Sequence, residues 1–161
     1  MLRKVAILFF FVLIADLVVA QPYQNALGVR LGFGLGLSYK SFVSGNAAIE
    51  GIASYQYVEH GYGLCGLYEI HNYRTIRTSN MALVYGLGAH VAYYVQGWYK
   101  NRKEILYEEA EFNFGVDGIF GIDYYVPEAS IDWGIDIKPM FDFIHAGFRF
   151  WDASISIRYT F

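Results

Sequence analysis

The sequence predicts an all-β protein, a closed antiparallel transmembrane up-and-down β-barrel of eight strands. Three observations predict this class. The chain is hydrophobic overall, with a mean hydropathy of +0.27, and it is rich in tyrosine, phenylalanine and glycine. Beyond residue 20 it contains no run of the roughly 18 apolar residues that a membrane-spanning helix needs. Instead, apolar and polar residues alternate with a period of two in successive segments of about eleven residues.

The first element is an export signal. Two basic residues precede an apolar run from Val5 to Val19, which ends in small residues as cleaved secretory signals do. A retained membrane helix is the alternative, but the run is short and Asp16 interrupts it. Because Gln21 and not a cysteine follows, a lipid anchor is not expected. We therefore expect residues 1–20 to be removed and residues 21–161 to form one barrel domain.

The first strands come from the alternating stretch between Val29 and Tyr39. Both termini of a bacterial barrel lie on the periplasmic side, which requires an even number of strands, yet only seven segments are clear in the pattern. A turn centred on Gly34 resolves this, because it pairs Leu31 with Leu37 on one face and keeps the alternation. The alternative is a single long first strand in a barrel with an odd number of strands.

Six further segments each combine an apolar face with a polar or glycine-rich face. Their apolar positions are Ile49, Ala53, Tyr55 and Tyr57; Leu64, Tyr68 and Ile70; Leu83, Tyr85, Leu87, Ala89, Val91 and Tyr93; Phe112, Phe114, Val116, Phe120 and Ile122; Ile131, Trp133, Ile135 and Ile137; and Ala153, Ile155, Ile157, Tyr159 and Phe161. A soluble antiparallel sandwich also alternates in this way. Its polar face would meet water, however, whereas here the second face carries many glycines and other small residues. A barrel with its apolar face in lipid and its polar face in a narrow lumen fits better.

The connections fall into two groups in this scheme. Those near residues 43–46, 72–80 and 124–129 lie with the termini on the periplasmic side. Those near residues 58–61, 95–110 and 142–150 lie outside. The longest, Gln96 to Ala110, is predicted to be a protruding hairpin with Lys100–Lys103 at its tip.

The polar faces of the strands predict a charged lumen. The inward charges are Arg30, Lys40, Glu50, Glu69, Asp117, Asp123, Asp136, Lys138, Asp152 and Arg158. Charges in a narrow interior of low dielectric must be paired, and an eight-stranded barrel is only just wide enough for its own side chains. We therefore expect a salt-bridge network that fills the barrel. The alternative is a small polar conduit or a ligand site.

Two histidines, His71 and His90, also point inward by the same alternation. Neither stands in a His-x-His or His-x-x-x-His pattern with another ligand, so a metal site is not expected. We predict hydrogen-bonded lumen histidines and no metal or cofactor.

The C-terminal segment, Ser154 to Phe161, has outward apolar residues at every second position and a terminal aromatic residue. Its residues Ile157, Tyr159 and Phe161 are similar to the signal that the outer-membrane assembly machinery recognises. We therefore expect this machinery to be a partner of the chain.

Several segments resemble a group of small single-barrel outer-membrane proteins common in the Bacteroidota. They are Gly66–Asn72, Tyr85–His90, Gly115–Gly118, Asp136–Pro139 and the last eight residues. The resemblance implies a barrel in contact with the lipid of a Gram-negative outer membrane. It implies no activity, since none is established for that group.

The remaining features limit the function. A formal net charge of −3 without a basic stripe argues against a nucleic-acid partner. Lipid A deacylases place a serine two residues after a histidine, and here the corresponding residues are Tyr62, Tyr73, Ala92 and Gly147. We therefore expect no enzyme but a structural or surface-interaction role in the envelope, through an unknown surface ligand. A minor channel or small-ligand carrier, and a lipid A-modifying enzyme, are the alternatives.

Overall fold

The computed structural model describes residues 22–57, 60–76, 78, 80–99, 103–144 and 147–161. For residues 95–99, 103–111 and 147–151 it describes the backbone alone. The predicted export signal, residues 1–20, lies outside the described residues. Among the residues that are described, no helix is long and apolar enough to cross a membrane.

Eight strands form a single closed barrel, and each strand pairs antiparallel with the next. They are β1 (Asn25–Leu31), β2 (Gly34–Phe42), β3 (Ala47–Gln56), β4 (Gly61–Asn72), β5 (Met81–Tyr99), β6 (Lys103–Val126), β7 (Ile131–Asp142) and β8 (Gly147–Thr160), with a short 3₁₀ helix at Pro127–Ala129. Pairing of β1 with β8 closes the barrel. The predicted all-β, eight-stranded up-and-down architecture is confirmed, and the alternative with an odd number of strands is wrong.

The first turn lies closer to the N-terminus than predicted. Leu31 pairs with Leu35, and Val29 pairs with Leu37, so the turn is centred on Phe33 and not on Gly34. Gly34 already belongs to β2, where the backbone of β3 at Tyr55 occupies the space that a side chain would need. Glycine is therefore required at position 34 for close strand packing, and the residues before Gly34 form the tight turn. The alternation of the faces is unaffected.

The connections fall into the two predicted groups. The two ends of the described chain, before β1 and after β8, lie at one end of the barrel together with the connections from β2 to β3, β4 to β5 and β6 to β7. At the other end, β5 and β6 pair with each other up to Tyr99 and Lys103, although β4 pairs with β5 only as far as Tyr93. Because β7 pairs with β6 only from Gly115 onward, β5 and β6 continue together as a two-stranded ribbon beyond the barrel wall. Residues 100–102, at the predicted tip, lie outside the described residues.

The two faces of the wall differ sharply in polarity. Large apolar side chains cover the outside, and Leu87 is 74% exposed, Phe112 72% and Ile135 65%. The interior holds the buried charges together with two small apolar clusters. One, at the end where the termini lie, consists of Tyr23, Ala26, Phe42 and Ala48, and the other of Ile52, Leu67 and Ile119. The chain is therefore apolar outside and ionic inside.

Candidate functional site: the ionic lumen

The ten charged residues predicted for the lumen all lie on its wall. Nine of them are buried, and Asp152, near one end, keeps 21% of its side chain exposed. The reason is local: each occupies an inward position of a strand whose outward neighbours are apolar. The structure divides the ten residues among three groups of contacts.

The central cluster consists of Lys40, Arg158, Glu50, Glu69, Asp123 and Asp132. The ammonium group of Lys40 lies 2.8 Å from both Glu69 Oε2 and Asp123 Oδ2, and 3.5 Å from Glu50 Oε2. These carboxyl groups come from three different strands. A single buried cation therefore joins β2 to β3, β4 and β6.

Arg158 is the second cation of the central cluster and is fully buried. Its Nη2 lies 3.0 Å from Glu50 Oε1, its Nη1 lies 2.8 Å from Asp132 Oδ2, and its Nε donates to Ser38 Oγ at 3.0 Å. Ser38 in turn donates to Glu50. All three donor nitrogens of the guanidinium are used, as a buried arginine requires.

His71 borders the central cluster. Its Nε2 lies 3.2 Å from Glu69 Oε2, whereas its Nδ1 lies 3.8 Å from Asp123, too far for a hydrogen bond. The imidazole ring packs against Phe42, with ring centroids 4.8 Å apart. It is a hydrogen-bonded lumen histidine.

A second cluster forms around Arg30. Its guanidinium binds Asp136 through two parallel hydrogen bonds of 2.5 and 2.6 Å, the bidentate geometry that favours arginine over lysine. Ser154 donates to the same carboxylate at 3.1 Å, and Asp152 lies 3.7 Å from the guanidinium. This cluster connects β1, β7 and β8 near the point where the barrel closes.

A third cluster surrounds His90. Its Nδ1 faces Asp117 at 3.0 Å, and its Nε2 faces Asp142 at 2.9 Å. Asp117 also accepts a hydrogen bond from Lys138 at 3.3 Å and from the thiol of Cys65 at 3.2 Å. A carboxylate has no proton to donate, so both ring nitrogens must carry one. The imidazole therefore acts as a further cation of the lumen, in addition to Arg30, Lys40, Lys138 and Arg158.

The ten predicted residues did not include two carboxylates that the structure places in the network, Asp132 and Asp142. Both occupy even positions of β7, on the same face as Asp136 and Lys138. The alternation was a sufficient signal for Asp132. Asp142 lies beyond the alternating segment recognised in the sequence, so its inward direction was visible only once β7 was known to extend that far.

The end of the barrel where the termini lie is filled by aromatic rings. Tyr23, which precedes β1, packs edge-on against Phe42, with ring centroids 5.2 Å apart. Its ring is tilted against that of Tyr125, with centroids 5.3 Å apart. Burial holds the pKa of the Tyr23 phenol well above its ordinary value. Tyr73 stacks on His71, and burial raises its pKa as well. Both phenols therefore stay neutral, and the rings cover this end of the ionic lumen.

The described residues contain no group of three or more His, Cys, Asp or Glu side chains arranged to hold a metal ion. A lipid-modifying enzyme would need a nucleophile, and of the two inward serines of β8, Ser154 donates to Asp136 and Ser156 is fully buried. A carboxylate bound by Arg30 is a poor base for a serine, since a free imidazole is the usual partner. No described contact favours a lipid-modifying reaction.

No protein-family model matches the chain, and no curated protein matches it. The class is therefore defined by the fold and the lumen themselves. The chain is a closed eight-stranded β-barrel whose interior is held together by buried ion pairs and whose exterior is apolar.

Proposed function

We propose that the protein is an integral β-barrel of a Gram-negative outer membrane with a structural or surface-interaction role in the envelope. The observation that carries the proposal is the polarity of the wall, apolar outside and ionic inside. In water the exposed Leu87 and Ile135, with their neighbours, would form an apolar surface far larger than soluble monomers tolerate. In lipid the same surface is favourable, and a closed barrel leaves no backbone group unpaired.

The contents of the lumen favour a barrel that does not conduct. Lys40 and Arg158 reach across the interior to several strands, and the aromatic residues around Tyr23 cover one end. The role would then lie on the outside of the barrel. The β5–β6 ribbon, which extends beyond the wall, is the element best placed to contact a surface ligand.

The export signal and the assembly signal belong to the same proposal. Tyr159 and Phe161 are exposed on the outer face with their rings stacked at 6.4 Å, and Phe161 forms two backbone hydrogen bonds with Asn25 across the closing strand pair. This exposed aromatic pair supports recognition by the outer-membrane assembly machinery. The similarity to the small Bacteroidota barrels supports the same location.

A photoactivatable phospholipid tests the proposal. The protein is folded into vesicles that contain the probe, and labelled residues are identified by mass spectrometry. We expect labelling of Leu87 and Ile135 and none of Glu50, Asp117 or Lys138. Labelling of the three charged residues with sparing of the two apolar ones would refute the proposal. Membrane fractions should also contain a band that changes its gel mobility on boiling.

A minor cation channel is the second candidate, because carboxylates outnumber lysines and arginines among the described lumen residues. Planar-bilayer recordings of the wild type and of Tyr23→Ala separate the two. A structural barrel gives no discrete current steps in either protein. Steps in the wild type that disappear in Asp136→Asn would establish the channel.

A further inference from the structure

Two carboxyl oxygens of the central cluster lack a hydrogen-bond donor among the described residues. They are Glu50 Oε2 and Glu69 Oε1, and both side chains have an exposed fraction of 0%. Lys40 lies 3.5 Å from Glu50 Oε2, close enough for an ion pair and too far for a good hydrogen bond. A buried acceptor without a donor destabilises the folded state, so each of these two oxygens needs a physical explanation.

The two carboxyl groups are neighbours. Glu50 pairs with Leu67 and Glu69 with Ala48, which places the two glutamates diagonally on the inner faces of β3 and β4. The Lys40 ammonium group lies 3.5 Å from Glu50 Oε2 and 2.8 Å from Glu69 Oε2, so the two carboxyl groups meet at one cation. Every donor is on the other oxygen of each group: Arg158 and Ser38 on Glu50 Oε1, Lys40 and His71 on Glu69 Oε2. The oxygen left over on each glutamate is therefore the one available to the other.

The cluster also carries an excess of negative charge. The titratable and charged side chains that face the pair are Arg30 from β1, Lys40 from β2, Cys65 and His71 from β4, Asp123 from β6, Asp132 from β7 and Arg158 from β8. Arg30 is bound by Asp136, so the permanent cations of the cluster itself are Lys40 and Arg158. Two permanent cations thus face four carboxyl groups. Two adjacent ionised glutamates in this interior would repel each other strongly, and one proton removes the repulsion.

We propose that Glu69 holds a proton on Oε1 in the folded barrel and donates it to Glu50 Oε2, so that the pair is a proton-binding site. Glu50 is the partner that stays ionised, because Arg158 binds it directly and Lys40 lies nearby. Among the described residues, the permanent cation in direct contact with Glu69 is Lys40, and Asp123 shares it. The proton comes from solvent, forms one O–H bond and satisfies both oxygens. This inference concerns the interior alone and stands or falls independently of the membrane location.

Folding then takes up a proton. In the unfolded chain both glutamates are ionised above about pH 5. The folded barrel binds one proton more, so linkage requires its stability to fall as the pH rises above that value. For Glu69 alone, the unfolding equilibrium constant should increase about tenfold per pH unit for as long as the folded protein keeps the proton. Other lumen groups add their own dependence, and the difference from a matched variant removes it.

The matched variants are Glu69→Gln and Glu50→Gln, which differ only in which carboxyl group becomes an amide. A glutamine at position 69 can donate to Glu50 as the protonated acid does. A glutamine at position 50 turns an acceptor of Arg158 and Ser38 into a neutral group. We expect the first variant to unfold at a higher urea concentration than the wild type at neutral pH, because its amide takes up no proton on folding, and this difference should shrink towards about pH 5. We expect the second variant to lose stability. Equal losses in both variants would overturn the proposal.

Infrared spectroscopy of the folded protein in detergent supplies a direct measurement. A protonated carboxylic acid has a carbonyl band separate from that of carboxylates, and carbon-13 labelling of glutamate identifies its source. We expect a glutamate acid band at neutral pH in the wild type and in Asp132→Asn, and none in Glu69→Gln. A wild type without the band, or a band that persists in Glu69→Gln, would show that the proton is elsewhere. The wild-type spectrum decides the matter even if a variant fails to fold.

Discussion

Arg158 on β8 binds Glu50 on β3 directly across the lumen, with 3.0 Å between Nη2 and Oε1. The same guanidinium binds Asp132 on the adjacent β7, so one side chain connects opposite walls of the barrel. Both partners of the cross-lumen pair are fully buried. In a barrel whose apolar residues face outward, such contacts occupy the place that a hydrophobic core has in a soluble domain.

Removing this cation should be costly. Arg158→Met keeps much of the side-chain volume but leaves Glu50 and Asp132 as buried charges without their main partner. Breaking a buried pair from one side typically costs about 3–5 kcal/mol. The free energy of unfolding, measured with urea in detergent micelles, should decrease by that amount. The control is Glu128→Gln in the exposed 3₁₀ helix before β7, with an expected change within about 0.5 kcal/mol. Equal midpoints for the two variants would contradict a stabilising role for the network.

The two lumen histidines should differ in protonation at neutral pH. Both ring nitrogens of His90 lie within 3.0 Å of a carboxylate oxygen, of Asp117 and Asp142, so both should carry protons. His71 has only Nε2 in hydrogen-bonding range, and that nitrogen alone should carry one. Nitrogen-15 NMR of the imidazole rings in micelles distinguishes these states. Asp142→Asn should change the spectrum of His90 and leave that of His71 as it was. Identical ring spectra for His71 and His90 would contradict this difference in protonation.

The barrel could be predicted from the sequence because a period of two is a local property. Each segment shows by itself which side chains share a face, and Leu83 to Tyr93 is the clearest case. The position of the first turn is not local. Gly34 resembles a turn residue in sequence, but its role depends on the backbone of β3 beside it, which sequence reasoning could not place.

The members of the ionic lumen could be predicted in the same way, but their pairing could not. Alternation shows that Arg30 and Asp136 both face inward, yet these residues lie 106 positions apart and meet only because of the register of β1, β8 and β7. A shift of two residues in any one pair of strands would preserve every face and exchange the partners. Whether Asp142 belongs to the ionic network of the lumen likewise depends on the length of β7.

Glycine at the closing strand pair should be essential, whereas glycine on the outer wall should not. A methyl group at Gly28 would overlap the backbone of Ile157 on β8, while nothing lies within 4 Å of one at Gly51. Gly28→Ala must displace a neighbouring strand, which we expect to cost about 2 kcal/mol or more, and Gly51→Ala should stay within about 0.5 kcal/mol. The fraction of protein that changes gel mobility on boiling reports closure. Comparable folded fractions in the two variants would show that the β1–β8 contact is looser than the structure indicates.

The outer wall offers a depth-dependent test of the proposed membrane location. Leu87 lies in the middle of the part of β5 that pairs with both neighbours and is 74% exposed, whereas Tyr57 lies in the β3–β4 turn at one end of the barrel. An arginine at the centre of the lipid costs about 2–4 kcal/mol in known barrels, and near the interface about 0–1 kcal/mol. Leu87→Arg should therefore reduce the free energy of unfolding from phospholipid vesicles several times more than Tyr57→Arg does. If the exterior met water instead, both arginines would be tolerated equally, and Leu87→Arg would improve folding without lipid. Such a result would exclude the outer membrane and leave only the barrel and its ionic interior.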